Sequence, residues 1–545
     1  MKNSTKTIML LFTFLMVKGI INAQISGNKT IGGASPDYTT INDAITALKI
    51  NGINGDVIFN IRDGVYNEIL DISNISGSQT YSIIFQSESQ DTSKVKITYT
   101  ATSGNTYLVN LTKIKNITFK NLSFWFTGNY TCRMVNMYDS VVNIKFQNNY
   151  FKCLNTNAYI VYAPQPQYDE KAPRMLEFTQ NTFESGYSAL ELYGGYYGII
   201  NNLIVTNNII KNQKNNGIYF SSCQGISIKS NSITSIKSTN YDVSAFGIGL
   251  EYAKDFEVSN NVVYSSFCYG ILLKNCSNTS LLKRVISNNF VTTKIDPYGM
   301  SGKALNIEGT DYADIIFNSL RLIGGDTGMT SYGLSVSGCS NINVVNNIIH
   351  NNETYAVNLD SKTGISTWDY NYLFGSSTYF AKYNNTTYSS LNAWQSASTL
   401  DVHSVTGTLT FVSASDLHVN STVVNNKGTV WASILTDIDN ETRSLSTPDM
   451  GADEFTIATD VNDLSYDQSL LIYPNPSNGI IYIKQESLLN NKIELQIYSI
   501  TGKLILNEKN LQINKPIDLS HFSGILNAKI IMNNKIYNQK ILIQK

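Results

Sequence analysis

The chain returns ten times to the same asparagine. In NLSF, NNYF, QNTF, NNII, NSIT, NNVV, NNFV, FNSL, NNII and YNYL the recurring positions are Asn121, Asn149, Asn181, Asn208, Asn231, Asn261, Asn289, Asn318, Asn347 and Asn371, spaced 23–32 residues apart. Such a period means one supersecondary unit per repeat, with loops absorbing the differences in length. The unit is β. Alternating apolar residues precede the marker, as in Ile226-Ser227-Ile228 and Phe256-Glu257-Val258. A second short strand lies upstream, opened by glycine in GIYF at 217, GIGLEY at 247, GILLK at 270 and GLSV at 333. Period-two alternation between Gly and Asn corners argues strands, and no 3.6-residue periodicity is sustained. A lone coil could not bury its apolar face. Coils stacked ~4.8 Å apart pair every strand with its equivalents and build one continuous core. The expected fold is an all-β solenoid.

At the corner the marker asparagine is expected to adopt a left-handed backbone, which Asn tolerates better than most residues. Its amide can bond the same amide one coil away, so the repeat reads as a structural ladder rather than a row of ligand-binding groups.

A chain of 545 residues exceeds one ordinary globular core, but a repeat lets a single core keep growing. With 15% charged residues and a net charge of -1 it lacks the basic stripe that nucleic-acid binding requires. Residues 1–23 read as an export signal: Lys2 and Lys6, an apolar run from Ile8 to Val17 broken only by Thr13, and Ala23 before Gln24. No later segment reaches ~18 apolar residues, so no transmembrane span is expected. Cys223 and Cys339 each stand eight residues before a marker, where Ala253 stands in another coil. These two, and Cys276 with them, are expected in the core rather than in disulfides. With four His and no CxxC or HExxH spacing, neither a metal nor another cofactor is expected.

The repeat resembles the pectate-lyase-like superfamily and the parallel β-helix repeat family over roughly residues 25–455. That likeness implies a right-handed parallel β-helix. YTTINDAITALKINGINGDVIFNIRDGVYNE at 38–68 resembles the opening of pectinesterases and related β-helices, where an amphipathic helix caps the first coil and a strand leads to a G-x-Y-x-E turn. Ile41, Ala44, Ile45 and Leu48 would form the apolar stripe of that helix. DLHVN at 416 and TDIDNETRSLSTPDMGADEF at 436–455 resemble the closing segment of exported β-helix proteins of Bacteroidetes. Catalytic signatures of pectinesterases (QAL, QDT, DFIFG, GRPW) and polygalacturonases (NTD, DD, GHG, RIK) are absent, as is a DxDxDG calcium loop.

Residues 456–468 are polar and short of large apolar side chains, a linker. From 469 a small β-sandwich is expected, with strands around YPNPSNG, a hairpin about Thr501-Gly502 and a closing KILIQK. This module resembles the type A sorting domain of the type IX secretion system. The matching residues are Tyr473, Pro474, Asn475, Pro476 and Gly479, then Tyr498, Gly502 and Lys503, then Lys540 and Lys545; Leu526-Asn527 replaces the more usual aromatic-containing pair. The resemblance implies the secretion machinery as a partner, passage across the outer membrane, and release or surface attachment.

Chemistry is sought where coils differ. Aligning the glycine-opened strands gives an outward column of Tyr193, Ser221, Glu251, Lys274, Glu308, Ser337 and Asp360. Its neighbour is Glu191, Tyr219, Gly249, Leu272, Asn306, Ser335 and Asn358. Glu251, Lys274 and Glu308 are the catalytic candidates. Two carboxylates two coils apart have backbones roughly 9–10 Å apart, near the upper end for inverting glycosidases. A lysine between them could hold one ionised, or could abstract a proton from a uronic acid. The plain alternative is a charge ladder that relieves like-charge stacking. Lys283-Arg284, the sole adjacent basic pair of the body, reads as a solvated face. Tyr193, Tyr197 and Tyr219 are the ligand-binding candidates, with YGGYYG at 193–198 a glycine-spaced aromatic loop. Aromatic faces stack on sugar rings while amides bond their hydroxyls. The function expected is polysaccharide binding, with lyase or glycosidase cleavage, by a monomeric exported protein; a non-catalytic surface adhesin is the other reading.

Overall fold

The structure, a computed structural model, describes residues 24–103, 105–128, 130–195, 198–236, 245–265, 269–276, 284–294, 302–324, 330–457, 470–485, 493–532 and 535–544. The proposed export signal and residues 458–468 of the proposed linker, with Tyr197, Lys283 and Lys545, lie outside those residues. The chain divides into two compact units, up to Ile457 and from Ala458.

The first unit is a parallel β-helix. One coil shows its logic: the glycine-opened strand Phe246–Glu251, the pre-marker strand Lys254–Ser259, the corner at Asn261, then the post-marker strand Val262–Ser265. Equivalent strands stack into three sheets of 13, 13 and 12 described strands, parallel except for Thr386–Tyr388, which pairs antiparallel with Ala381–Tyr383. Inward residues fill the bore. In the early coils these are phenylalanines: Phe59, Phe85, Phe119, Phe146 and Phe178 stack with centroids 5.0–5.7 Å apart. Phe124, Phe151 and Phe183 form a second stack at 4.9 Å. Later coils continue the core with Ile, Leu and Val. The glycine that opens a strand is a small-residue slot. A Cβ at Gly270 would lie 2.3 Å from Val291 Cγ1 and 2.5 Å from the Ala304 carbonyl, so only Gly fits there.

The N-terminal cap is the helix Ile41–Asn51, with Ile41, Ala44, Ile45 and Leu48 buried. A Thr40/Asp43 capping box starts it. Glu68, last residue of the G-x-Y-x-E turn, accepts from the Ile41 and Asn42 amides at 3.2 and 2.8 Å, placing a carboxylate on the helix N-terminus. A second helix, Leu391–Ser398, closes the other end with Trp394 fully buried; the sequence reading had not foreseen it.

The asparagine ladder is real, but its backbone assignment moves by one residue. The left-handed positions are Asn148, Gln180, Asn207, Ser230, Asn260, Asn288, Phe317, Asn346 and Tyr370, each just before a marker. The chain turns at this outer slot, and the next residue points its amide inward. There Asn149, Asn181, Asn208, Asn231, Asn261, Asn289, Asn318, Asn347 and Asn371 each donate Nδ2 to the Oδ1 of the next, at 2.9–3.1 Å. Each Oδ1 also accepts the preceding marker's backbone N–H. Asn121 belongs to the outer slot (φ 56°), and Leu122 occupies the ladder position of its coil. The ladder ends on Asp401, whose Oδ1 accepts from Asn371 at 3.0 Å and whose Oδ2 accepts from Trp394 Nε1 at 2.7 Å.

Cys223 and Cys276 are fully buried and Cys339 partly so; with Cys132 and Cys153 they are free thiols. Arg284 corrects the solvated-face reading. It is in register with the core residue Phe256 and only 1% exposed.

The coils also stop earlier than the sequence boundary suggests. From Asp401 to Phe455 the chain is a non-repetitive strap lying back over the post-marker sheet, where Leu409, Phe411, Leu417, Val419 and Met450 cover Phe290, Ile348 and Tyr372. It docks on the outer slots. Asn260 and Asn288 donate to the carbonyls of Asp437 and Thr436, and Asn346 both donates to and accepts from Thr429. No helix among the described residues is long and apolar enough to cross a membrane.

The second unit packs two antiparallel sheets around Ile481, Ile483, Leu495, Ile497, Ile530 and Ile541. Its sequence hallmarks have local causes. Asn475 accepts from the Leu542 amide and donates to the Lys540 carbonyl, tying YPNP to the last strand. Gly479 has φ 117°, and a Cβ there would meet Ser520 Cα at 2.5 Å. The hairpin joins Ile493–Ser499 to Leu504–Leu511.

Candidate functional site

Register places the two proposed columns as the spacing predicted. Tyr193, Ser221, Glu251, Lys274, Glu308 and Ser337 are successive partners on the outer face of the glycine-opened sheet. Glu191, Tyr219, Gly249, Leu272, Asn306, Ser335 and Asn358 form the adjacent column.

The three charged candidates are therefore neighbours along the axis, but loosely joined. Lys274 Nζ lies 3.8 Å from Glu251 Oε1, Glu251 Oε2 accepts from the Tyr219 hydroxyl at 2.9 Å, and Glu308 is exposed. A tighter charge ladder stands on the post-marker sheet. Glu184 is held by Lys152 at 2.7 Å, Lys211 at 3.0 Å and the Tyr150 hydroxyl at 2.7 Å. Those donors outweigh its burial and hold its carboxyl down to about 2. Alternating charges between coils are thus a habit of this scaffold.

The sequence reading placed Glu191 in a column without giving it a role. It is 4% exposed, and burial pushes its carboxyl above the usual carboxylate range. The Tyr193 hydroxyl donates to it at 2.5 Å and Asn216 Nδ2 at 3.4 Å. Tyr193 and Tyr219 sit 5.5 Å apart in one cluster with Phe246, Leu272 and Tyr269. Gly249 makes the cluster possible, since a Cβ there would press on the Tyr219 and Phe246 rings at 3.0 Å.

The rings extend well past this cluster. Tyr187, Tyr159, Tyr162, Tyr193, Tyr219, Phe246 and Tyr269 follow one another with centroids 4.9–5.9 Å apart. Lys303 bridges Tyr269 to Tyr332, and Tyr355 and Tyr379 continue the line. Arg133 caps it over Tyr162 at 4.5 Å. Exposure varies along the line: Tyr379 is 45% exposed, whereas Tyr219, Phe246 and Tyr355 are buried. The sequence showed Tyr193 and Tyr219 but not the line, because its members fall in different slots of coils of unequal length.

The strap holds a polar closure that explains the closing motif. Asp437 accepts from the backbone of Asp439, Glu441 and Glu454, and Asp449 from Asn426 and Phe455. Arg443 binds Glu454, Gly451 and Asn288 while lying 3.9 Å over the Phe317 ring. Burial pushes the Asp449 carboxyl up to about 6. Beside this knot, His418 stands between Asp416 and Asp439, with Asp453 behind it. The low His count had turned the reading away from such a group. D-x-H at 416–418 and D-x-D at 437–439 were its sequence signal.

Comparison with known proteins matches residues 167–320 to the family described as right handed beta helix region, and residues 471–544 to the secretion system C-terminal sorting domain. No curated protein matches the chain. Among solved structures, the catalytic domain of GH87 alpha-1,3-glucanase in complex with nigerose is 10% identical, covering 72% of this chain and 68% of that one at a TM-score of 0.30. A substituted form of the same domain gives 10% identity, 70% and 68% coverage and 0.27. The sorting tail directs the chain to the cell surface or the extracellular space by type IX secretion.

Proposed function

We propose that this exported right-handed β-helix protein binds an extended extracellular polysaccharide along the outer face of its glycine-opened sheet. The observation that carries the reading is the line of rings from Tyr187 to Tyr379, continued across the gap between Tyr269 and Tyr332 by the Lys303 ammonium. Aromatic rings offer flat apolar faces to the axial C–H groups of sugars, and each is a rigid contact with little entropy to lose. The coil spacing of ~4.8 Å sets a translational repeat close to the advance of one sugar ring in an extended glycan. Asn358, half-buried beside the rings, supplies a neutral partner for hydroxyls, whereas Asn306 and Ser335 are buried. Tyr193 contributes a half-buried ring. Tyr219 serves through packing, because its hydroxyl is engaged by Glu251.

Titration calorimetry of the full chain against a panel of neutral and uronic-acid polysaccharides tests this. Saturable binding that falls about fivefold in Tyr162→Ala and again in Tyr193→Ala supports it, at ~1 kcal/mol per ring. Binding indifferent to both substitutions would sink it. The same incubations report on cleavage. Ultraviolet-absorbing unsaturated products lost in Lys274→Ala would make the column Glu251, Lys274 and Glu308 a lyase centre. New reducing ends lost in Glu251→Gln and Glu308→Gln would make it a hydrolase centre. Binding with no product leaves the protein a glycan-binding adhesin.

A further inference from the structure

One group of side chains serves neither the strap closure nor the aromatic line. His418 faces a cleft of about 410 Å³ between the strap and the corner of the coils, lined by Asn207, Ser230, Asn260 and Asn440. His418 Nδ1 is 2.5 Å from Asp416 Oδ1, Nε2 is 2.6 Å from Asp439 Oδ2, and Asp453 Oδ1 is 3.8 Å from Nε2. One ligand atom from each of His418, Asp439 and Asp453 falls within 4.8 Å of the others. The imidazole is fixed from a second element, its ring edge-on to Phe290 at 4.8 Å.

Asp453 is the telling member. It is 8% exposed, and its carboxylate accepts no hydrogen bond among the described residues; its one charged partner is the His418 nitrogen 3.8 Å away. A buried carboxylate without donors costs several kcal/mol unless a positive charge compensates it. Arg443, the nearby guanidinium, is spent on Glu454, Gly451 and Asn288.

We propose that His418 Nε2, Asp439 and Asp453 bind a divalent first-row transition-metal cation, with Asp416 as the positioning carboxylate on Nδ1. A histidine whose far nitrogen donates to a carboxylate presents its other lone pair to a metal in a fixed direction. Three protein ligands, here one imidazole and two carboxylates, leave coordination positions of the cation open. The imidazole sets the preference for zinc-like ions over calcium or magnesium. In the metal-free state Nε2–H donates to Asp439. On binding that proton leaves to solvent, the nitrogen lone pair goes to the metal, and both carboxylates become ligands. The open positions face the cleft, so a hydroxyl-bearing ligand held by Asn207 and Asn260 could complete the shell. The site also joins two separate stretches of the strap across the coil corner at Phe290.

The test is calorimetric titration of the chelator-treated full chain with zinc chloride, in two buffers of different ionisation enthalpy. One site per chain is expected, with a proton released and a rise in melting temperature on saturation. His418→Ala and Asp453→Asn should each weaken binding more than tenfold. Asp416→Asn should cost about tenfold while leaving stoichiometry intact, as an orienting carboxylate does. Circular dichroism of each variant separates loss of the site from loss of the fold. Should His418→Gln, which keeps bulk at the position, bind zinc as the unsubstituted chain does, the assignment is overturned. Calcium binding in place of zinc, or no saturable zinc binding, overturns it equally.

Discussion

At the scale of single residues, the two asparagines of each NN doublet do different work, and substitution should separate them. Asn261→Ala breaks five hydrogen bonds of buried groups: those from Asn231 N and Nδ2, and those to the Ile228 and Ser259 carbonyls and Asn289 Oδ1. Its expected cost is about 3 kcal/mol or more by denaturant unfolding. Asn260→Ala, one residue earlier, loses its bonds to the strap and some tolerance for a left-handed backbone, about 1–2 kcal/mol. Reversal of that order would refute the slot assignment. Asp401 adds a pH signature. Burial pushes its carboxyl up to about 6 despite bonds from Ser404, Asn371 and Trp394. The folded value exceeds the unfolded one of 3.8. The contribution is therefore fully present below 3.8 and lost as pH rises through about 6. Thermal melts should show the unsubstituted chain losing stability between about pH 4 and 6 relative to Asp401→Asn, with no further loss above that. His350, held down to about 4 by burial, titrates the opposite way but is common to both proteins and cancels.

Among elements, the strap is the one whose stability can be set apart from the coils. Arg443→Ala leaves Glu454 without its buried partner, so a loss of about 3–5 kcal/mol is expected. Hydrogen exchange should then rise across 424–452 while the strands of the early coils stay protected. Uniform loosening of both would show that strap and coils unfold as one. This division also marks what the sequence could reveal. The strands, the capping helix and the column of Glu251 were legible because each follows a local rule: period two, an apolar stripe at helical spacing, a marker at fixed distance. The strap obeys none. Its order comes from single long-range bonds, such as Asn346 with Thr429 and Arg443 with Asn288, that leave no periodic trace. His418 and Asp453 are 35 residues apart in the sequence for the same reason. The one-residue slip at the marker arose because NN offers two identical letters for two slots. Coils with Gln180, Ser230, Phe317 or Tyr370 before the marker, and Leu122 after Asn121, break that degeneracy.

For the whole molecule, length along the axis is the functional variable. If the line of rings is the binding face, oligosaccharides should bind more tightly as they lengthen, reaching a plateau once they span the ten coils from Arg133 to Tyr379, on the order of 40 Å. Affinity independent of chain length would instead mean a single end-binding pocket. Removal of 470–545 should leave the β-helix folded but retained inside the cell, measured by fractionation of the producing bacterium. The asparagine column bears on length in another way. Every rung from Asn149 to Asn347 gives its N–H forward and takes one from behind, so the column has a direction like a sentence, and Asp401 is its full stop. Any rung can follow any other, whereas nothing beyond the carboxylate can receive the next. A whole coil could thus be duplicated or deleted between those limits without rewriting its neighbours. Gene-level slippage of one repeat would lengthen or shorten the molecule in steps, while both ends remain those already fixed by the chain.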